Sequence, residues 1–298
     1  HLHDAGKEVL ILDRQAFPRL KLCAGWITPQ VVKDLDLDLT SYPHRLVTFN
    51  KINFHFRGLT IPLPTRQHAI RRIEFDHWLL QRAAVPTFTH AVRQIRQENG
   101  RYILDDRFRC KFLVGAGGTN CPVYHAIFKK ANPRAREQQI VCLEEEFAFP
   151  ASADDCHLWF FDGGLVGYSW YVPKGSTVIN VGIGGKRASM KANGQTIRDH
   201  WPQFTARLAA LGLVNGYDFQ ATGYHYYLRQ NVTRVQIGHA YLAGDAAGLA
   251  TRDMGEGIGP AVASGILAAE SINTGRPYSL RSIAKYSLPG MLLARWLI

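Results

Sequence analysis

The fold is decided by one strand–turn–helix segment, Tyr241–Ile272, which reads YLAGDAAGLATRDMGEGIGPAVASGILAAESI. Its apolar start predicts a buried strand that delivers Gly244 and Asp245 at its carboxyl end, where open α/β sheets bind ligands. Its last part predicts a helix over 260–272, and Pro260 suits the first turn of that helix. Free N–H groups at such a helix start hold negative charge, so the segment predicts a site for an anionic ligand. The alternative is a glycine-rich turn that serves packing alone.

A second ligand-binding element is predicted at the start of the chain. His1–Gly6 is typical of the last turn of a helix closed by glycine, and Lys7–Asp13 is a short apolar run that ends in an acid. Helix end, strand and acid form the second half of a βαβ dinucleotide unit, in which the acid accepts hydrogen bonds from ribose hydroxyls. Asp13 is therefore a candidate ligand residue, although any α/β protein can carry an acid after a strand.

The remaining pattern predicts an α/β fold with a second, interleaved domain. Residues 71–84 predict an amphipathic helix, and Glu98-Asn99-Gly100 predicts a hairpin turn. Residues 139–228 are rich in strand-like aromatic segments, with one helix near 195–211. We expect a discontinuous Rossmann-like domain over 1–50, 65–138 and 229–275, a mainly antiparallel β substrate domain over 51–64 and 139–228, and a helical C-terminal segment over 276–298.

Composition and charge exclude several other classes of protein. The 298 residues, 46% hydrophobic and 20% charged, are typical of a globular protein and not of a disordered or collagen-like chain. The net charge of +11 favours an anionic partner, but the basic residues are scattered, so no nucleic acid is expected. Five cysteines without C-x-x-C spacing argue against disulfides and predict a cytoplasmic location. The twelve histidines show no metal-ligand spacing, so no metal is expected.

Taken together, five motifs resemble the FAD-dependent oxidoreductases related to para-hydroxybenzoate hydroxylase and geranylgeranyl reductase. They occur in the family's order: VLILDR at 9–14, FPRLKLCAG at 17–25, R-x-x-F-D at 72–76, VGAGGTNC at 114–121, and AGDAAG at 243–248 followed by GEGIGPA at 255–261. Each motif alone is weak, but the combination is specific and spans nearly the whole chain. The resemblance implies that the Rossmann-like domain binds FAD.

The resemblance also implies which residues hold this cofactor. Asp13 would bind the ribose, Arg72 would lie near the pyrophosphate, and Asp245 would accept hydrogen bonds from the ribityl hydroxyls. The helix start after Gly257 would stabilise the N1–C2=O edge of the reduced flavin. The implied cofactor-binding residues are Asp13, Arg14, Lys21, Gly25, Arg72, Val92, Gly115, Ala116, Gly244, Asp245, Gly255, Gly257, Ile258 and Gly259. The electron donor, NADPH or ferredoxin, stays open.

Cys23 is the candidate catalytic residue, because the resemblance places its thiol beside the flavin. Packing of a small, polarizable side chain explains this cysteine equally well. Three departures from the family pattern matter here. No G-x-G-x-x-G loop precedes Asp13, so a fragment that does not bind FAD is a further alternative; Gly117 replaces the family's aspartate; and Trp26 replaces a small residue beside the flavin.

A sixth motif resembles the geranylgeranyl reductase branch of this family. Residues 168–173 read YSWYVP and residues 181–184 read VGIG, a signature that lines the prenyl cavity in that branch. Alternate aromatic side chains point the same way from a strand, and their faces suit a long apolar polyene. We also expect the close glycines to let a substrate approach the backbone, whereas packing of an aromatic core is the alternative. The implied substrate-binding residues are Tyr168, Trp170, Pro173, Gly182 and Gly184.

The sequence therefore predicts an FAD-dependent oxidoreductase that reduces C=C bonds of an isoprenoid by hydride transfer from reduced flavin. The alternatives are an aromatic monooxygenase and a halogenase-like enzyme, although Tyr168 and Cys23-Ala24-Gly25 depart from the halogenase pattern. We expect a small-molecule or prenyl-lipid substrate. The apolar tail over 287–298 predicts either a helix docked on the core or a peripheral membrane contact. The oligomeric state stays open.

Overall fold

The computed structural model describes residues 1–151, 155–232 and 234–288, which form two compact units. Unit 1 contains His1–Arg19, Ile73–Ala135 and Tyr226–Ser287, and unit 2 contains Leu20–Arg72 and Arg136–His225.

Short strands and a few helices make up both units. The strands are β1 (Ile11–Asp13), β2 (Trp26–Ile27), β3 (Val47–Phe56), β4 (Leu59–Ala69), β5 (Thr87–Thr89), β6 (Ile95–Glu98), β7 (Arg101–Leu104), β8 (Phe108–Cys110), β9 (Leu113–Gly115), β10 (Gln139–Ala148), β11 (Cys156–Phe160), β12 (Gly167–Pro173), β13 (Val178–Lys186), β14 (Thr222–Tyr227), β15 (Gln236–Ile237) and β16 (Ala240–Leu242). The helices are α1 (Pro29–Asp34), α2 (Arg72–Ala83), α3 (Arg187–Ala192), α4 (Ile197–Ala210) and α5 (Ile258–Thr274).

Unit 1 has the parallel strand pairs of an α/β fold. Strand β1 pairs in parallel with β5, and β16 pairs in parallel with β9 and antiparallel with β15. Strands β6, β7 and β8 form a separate antiparallel sheet. The predicted hairpin turn is confirmed, because Asn99 and Gly100 both have positive φ, as a tight two-residue turn between right-twisted strands requires.

Helix α5 follows β16 and packs on the core of unit 1. Ala268 and Ile272 lie against Leu242 and other buried apolar residues. Gly275 ends the helix with φ of +74°, and Pro277 follows. The predicted helical segment over 276–298 is therefore wrong for 276–287, which form turns and irregular backbone whose Tyr278 packs into the core. The rest of the predicted tail, from 289 onward, lies outside the described residues.

Unit 2 is built on one eight-stranded sheet. Its strand order is β14-β10-β13-β12-β11-β3-β4-β2, and the pairing of β11 with β3 is parallel. The other pairs whose register is described are antiparallel. The sheet confirms the predicted antiparallel β domain. Residues 20–50 and 65–72 belong to this unit rather than to the Rossmann-like part, because β2 and the whole of β3 and β4 pair within the sheet.

The two faces of this sheet differ in what covers them. Helices α3 and α4 pack on one face, where Met190, Phe204 and Leu208 meet inward residues of β12 and β13 such as Tyr171 and Val181. Side chains alternate along a strand, so Tyr168 and Trp170 point to the opposite face. That opposite face carries the residues of the candidate substrate site.

Candidate functional site

The turn after β16 is held against α5 by close backbone contact. Gly244 has φ of +56°, and a Cβ at this position would lie 3.0 Å from the Cβ of Ala261. Its N–H donates to the hydroxyl of Ser264 at 2.9 Å. The Tyr278 hydroxyl donates within the same contact to the Leu242 carbonyl at 2.7 Å. The predicted strand–turn–helix segment is therefore confirmed, and it presents Asp245 just after the strand.

The start of α5 is occupied by a carboxylate of the same chain. Gly259 donates its N–H to Glu256 Oε1 at 2.6 Å, and Ile258 also bonds this carboxyl through its backbone. The expectation that these N–H groups are free is therefore wrong. Glu256 lies in the turn just before the helix, and its carboxyl accepts hydrogen bonds from them. Burial raises the pKa of Glu256 to about 7, an effect that Asp245 and Asp253 reinforce by repulsion.

Asp245 itself keeps its carboxylate available. Within the described part of the chain, neither carboxylate oxygen has a hydrogen-bond donor, and the side chain is partly exposed. A Cβ at Gly257 would lie 3.3 Å from its Oδ1, so a larger residue there would have to push this carboxylate aside by a few tenths of an ångström. An acceptor of this kind suits the hydroxyls of a sugar or polyol chain.

Asp13 lies at the end of β1 and is already partly engaged. Its Oδ2 accepts from Arg19 Nε at 3.0 Å, and its Oδ1 accepts from the N–H of Gln15 at 2.9 Å. Arg19 also approaches Asp76 at 3.9 Å. Each carboxylate oxygen accepts more than one hydrogen bond, so Asp13 can still bind ribose hydroxyls. Sequence reasoning did not single out Arg19, although it lies inside the FPRLKLCAG motif.

The other cofactor residues predicted in unit 1 differ in their surroundings. Gly115 is buried, and a Cβ there would lie 2.7 Å from Val123 Cβ, so packing within the core explains this glycine. Gly255 has φ of +63° and is pressed against the Tyr226 hydroxyl. Arg14 and Ala116 are exposed at the ends of their strands, and Val92 packs at the margin of the core.

Arg134 is a residue of unit 1 that the sequence did not reveal. Its guanidinium donates to the carbonyl of Thr119 and, at 3.0 Å, to the carbonyl of Ala246. It also lies 3.7 Å from the ring centroid of Tyr124, a cation–π contact. Arg134 thus ties the loop of the VGAGGTNC motif to the turn of the AGDAAG motif.

Unit 2 contains a cavity of about 200 Å³ beside Cys23. The Cys23 Sγ accepts the N–H of Gly25 at 3.3 Å, and its carbonyl accepts the side-chain amide of Asn180 at 3.4 Å. The cavity is lined by Leu20, Lys21, Leu22, Cys23, Arg72, Glu144, Glu145, Glu146, Asn180, Gln220 and Thr222. The structure thereby brings together three residues predicted separately, Cys23, Lys21 and Arg72.

Glu144 is the buried acid of this cavity. Its Oε2 accepts the Tyr224 hydroxyl at 3.1 Å, and it also bonds the backbone of Cys23. Burial raises the pKa of Glu144 to about 7, although Tyr224, Cys23 and the charge of Lys174 oppose the shift. Sequence reasoning missed Glu144 because the run Glu144-Glu145-Glu146 is typical of a solvated surface.

Lys174 fixes the backbone that carries Cys23. Its Nζ donates to the carbonyl of Ala24, to that of Ile70 at 2.9 Å and to that of Gly25 at 3.3 Å. Burial lowers the pKa of Lys174 to about 8, although Glu146 and Glu144 favour the charged form. Gly25 has φ of +64° and lies so close to Ile70 and Lys174 that no Cβ would fit.

Four of the five predicted substrate residues, Tyr168, Trp170, Gly182 and Gly184, lie on the same face of the sheet as Glu144, whereas Pro173 lies on the opposite face. Trp170 is buried, and its indole N–H donates to Asn180 at 2.7 Å. A Cβ at Gly182 would overlap this indole, and a Cβ at Gly184 would lie 3.5 Å from it. The expectation that these glycines let a substrate approach is therefore wrong for Gly182, which makes room for Trp170, while a Cβ at Gly184 would be pressed against Cys142 Sγ at 3.0 Å. Pro173 is buried at the end of β12 and precedes Lys174.

Within residues 1–151, 155–232 and 234–288, no group of three or more His, Cys, Asp or Glu side chains is placed to hold a metal ion. In those same ranges, no helix has the length and apolar character needed to cross a membrane. The absence of a metal therefore stays a prediction.

The residues of unit 1 fit FAD on the chemistry of their donors and acceptors. Asp13 and Asp245 offer carboxylate oxygens for ribose and ribityl hydroxyls at the carboxyl ends of two strands. The glycines at 244 and 257 leave space that a Cβ would fill. Glu256 occupies the N–H groups of Ile258 and Gly259, so these two donors are not free for a ligand.

Comparison with known proteins gives related sequences of low identity. No protein-family model matches the chain. An uncharacterized protein of Methanosarcina barkeri is 29% identical over 280 residues, which cover 89% of this chain and 68% of that protein. The geranylgeranyl diphosphate reductase of Rhodobacter capsulatus is 23% identical over 310 residues, which cover 93% and 73%. A menaquinone reductase of Mycolicibacterium smegmatis is 24% identical, with 91% and 72% covered.

Solved structures show the same fold. A geranylgeranyl bacteriochlorophyll reductase-like protein from Thermoplasma acidophilum has a TM-score of 0.76 at 18% identity and covers 92% of this chain and 75% of its own. CmlS, a flavin-dependent halogenase, has a TM-score of 0.73 at 19% identity, with 91% and 55% covered.

The relatives and the shared fold agree with the resemblance to FAD-dependent oxidoreductases that the motifs indicate. Its sequence relatives include geranylgeranyl reductases and menaquinone reductases. The predicted family and the α/β fold class are thereby confirmed.

Proposed function

We propose that this chain binds FAD and reduces a C=C bond of an isoprenoid substrate in the cavity beside Cys23. The observation that carries the proposal is a cavity that combines a thiol, Cys23, with a buried acid, Glu144. The aromatic strand β12 lies on the same face of the sheet as Glu144. Relatives named for geranylgeranyl substrates support the substrate class. FAD, when bound, supplies the hydride.

A residue of the cavity supplies the proton that the reduction needs in addition to the hydride. Reduction of a C=C bond adds a hydride to one carbon and a proton to the other. Glu144 holds that proton, because its pKa of about 7 keeps a large fraction of the carboxyl protonated at neutral pH. The carboxylate left behind takes its next proton from water.

The aromatic strand and the cysteine segment position the substrate. Tyr168, which is partly exposed, offers a ring face to an apolar chain, and its ring centroid lies 5.8 Å from that of the buried Trp170. Lys174 holds the backbone at Ala24 and Gly25, so the Cys23 thiol stays at the edge of the cavity.

The test has two stages, of which the first concerns only the cofactor. The purified full chain is mixed with FAD, and the visible absorption of protein-bound flavin is recorded after gel filtration. We expect bound flavin; a colourless protein that cannot be reconstituted would overturn the proposal and favour the fragment that does not bind FAD.

The second stage concerns the reaction. The flavin is reduced chemically under argon, and a geranylgeranyl lipid is added. We expect stoichiometric reoxidation of the flavin and a saturated product, slowed at least tenfold in Glu144→Gln and unchanged in Glu137→Gln, which removes an exposed acid. Failure under argon, with hydroxylation of an aromatic substrate in air, would show the monooxygenase instead.

A further inference from the structure

Unit 2 has a cluster of exposed apolar side chains at the ends of three strands, β3, β4 and β11, which we call the apolar tip. It consists of Phe56 (40% exposed), Leu59 (66%), Ile61 (49%) and Phe161 (59%). Phe56 and Leu59 are register partners across the β3–β4 turn, and the Phe56 and Phe161 rings contact edge to face at 6.2 Å. Four large apolar side chains in one exposed cluster are more than chance exposure explains.

The backbone holds this tip in an unfavourable conformation. Arg57 and Phe161 have φ of +49° and +54°, in the left-handed region that residues with a Cβ rarely adopt. Phe161 in particular gains no burial in return, since its ring is mostly exposed. Strain kept at an exposed aromatic residue points to a role outside the folding of the chain.

The charge around the tip is positive. The Arg57 guanidinium lies 5.3 Å from the Phe56 ring centroid, at the apex of the hairpin. Residues 54–61 contain no acid, and the acid of residues 156–168, Asp162, is neutralised by Arg207 at 2.7 Å. Apolar side chains around an unopposed cation match the interfacial region of an anionic bilayer, where aromatic rings sit at headgroup level and arginine meets lipid phosphates.

Two rows of side chains run from the tip across one face of the sheet, and one of them ends at a residue of the cavity. Cross-strand partners share a face of the sheet. One row contains Leu59, Phe56, Phe160, Tyr168, Gly184 and Cys142, and the next contains Ile61, Phe54, Leu158, Trp170, Gly182 and Glu144. The second row thus begins in solvent and ends at the buried acid.

We propose that the apolar tip docks this protein on an anionic lipid surface by inserting Phe56, Leu59, Ile61 and Phe161 among the lipid headgroups. The docking does not depend on the proposed function.

The test measures co-sedimentation of the full chain with vesicles of phosphatidylcholine alone and with added phosphatidylglycerol. We expect wild-type protein to bind the anionic vesicles. Leu59→Ser combined with Ile61→Ser should weaken this binding at least tenfold, because two exposed apolar side chains are lost. Arg57→Gln should weaken binding about fivefold on anionic vesicles and leave binding to neutral vesicles unchanged.

The matched control is Leu211→Ser, which removes an equally exposed leucine at the end of α4. We expect it to bind like wild type. Equal binding of wild type and the Leu59→Ser/Ile61→Ser variant would overturn the proposal and place any membrane contact elsewhere in the chain. A tip variant that shifts the elution volume of the vesicle-free protein would also overturn it, because the tip would then join two copies of this chain.

Discussion

Lys174 shows how one buried charge defines the backbone of the candidate site. Its ammonium group replaces water with the carbonyls of Ala24, Gly25 and Ile70, two of which lie beside Cys23. A buried charge is tolerated only when it is hydrogen-bonded in this way. The sequence placed Lys174 after a predicted strand but gave no sign that it is buried, since lysine is almost always exposed.

Replacement of this lysine tests its role directly. Lys174→Met keeps the length of the side chain but removes the lysine donor from the Ala24 and Ile70 carbonyls, whereas Gly25 keeps the N–H of Ile70, so we expect a loss of about 2–4 kcal/mol in the free energy of unfolding. Denaturant titration measures the loss. Lys191→Met, at an exposed position of α3, should change the free energy of unfolding by less than about 1 kcal/mol. Equal effects of the two variants would contradict the role assigned to Lys174.

At the scale of elements, the pairing of β12 with β13 decides what the glycines of the VGIG motif do. Gly182 is opposite Trp170 in the register and also opposite Glu144 of β10. The sequence could place Trp170 on one face of a strand by alternation, but it could not show which neighbouring strand pairs with it. Only that pairing shows that the indole, and not a substrate, uses the space.

A single methyl group tests this packing. Gly182→Ala would overlap the Trp170 indole, so we expect a loss of about 1–3 kcal/mol in stability and a changed near-ultraviolet circular dichroism. Gly265→Ala is the matched control, because a Cβ there meets nothing within 4 Å inside α5. That variant should be neutral or stabilised by about 0.5–1 kcal/mol. Unchanged stability of Gly182→Ala would mean that Trp170 does not fill this space.

Two turns show which conformations local residues predict and which the strand pairing imposes. Asn99-Gly100 is a strong hairpin signal, and the structure confirms it. Arg57-Gly58 forms an equally tight turn, with φ of +49° and +82°, yet arginine at its first position is a poor signal. The long β3–β4 pairing imposes the left-handed conformation on Arg57 there.

For the whole molecule, buried acids make stability depend on pH. Burial raises the pKa of Glu144 and of Glu256 to about 7, against about 4.3 in an unfolded chain. Between pH values equal to the unfolded and folded pKa of these carboxyls, the folded state binds more protons than the unfolded state. The free energy of unfolding therefore falls as pH rises from about 4.5 to about 7. Lys174, with its pKa lowered to about 8, adds no slope within this window.

The double variant Glu144→Gln/Glu256→Gln should abolish most of this slope. We expect the variant's melting temperature minus that of wild type to be larger at pH 8 than at pH 5. At pH 8 wild type carries the cost of two buried carboxylates, which the variant lacks. Thermal unfolding at the two pH values measures the difference. An equal difference at both pH values would show that these carboxyls titrate normally.

The sequence by itself determined the class of this protein. The strand–turn–helix segment with Asp245, the acid at Asp13 and the aromatic strand over 168–173 follow from local spacing, and these elements lie where the sequence predicted them. Local patterns suffice here because a strand end, a helix start or an alternating face depends on residues that are close in the chain.

Only the tertiary structure decided how those elements are used. Glu144 became the buried acid of a cavity, Glu256 took the helix start predicted for a ligand, and Arg134 joined two motif loops. Each of these results depends on which distant strand or loop lies alongside, since burial and hydrogen bonding come from neighbours far apart in sequence. The sequence does not distinguish a buried charged side chain from a solvated one, so only the fold shows the environment of these residues.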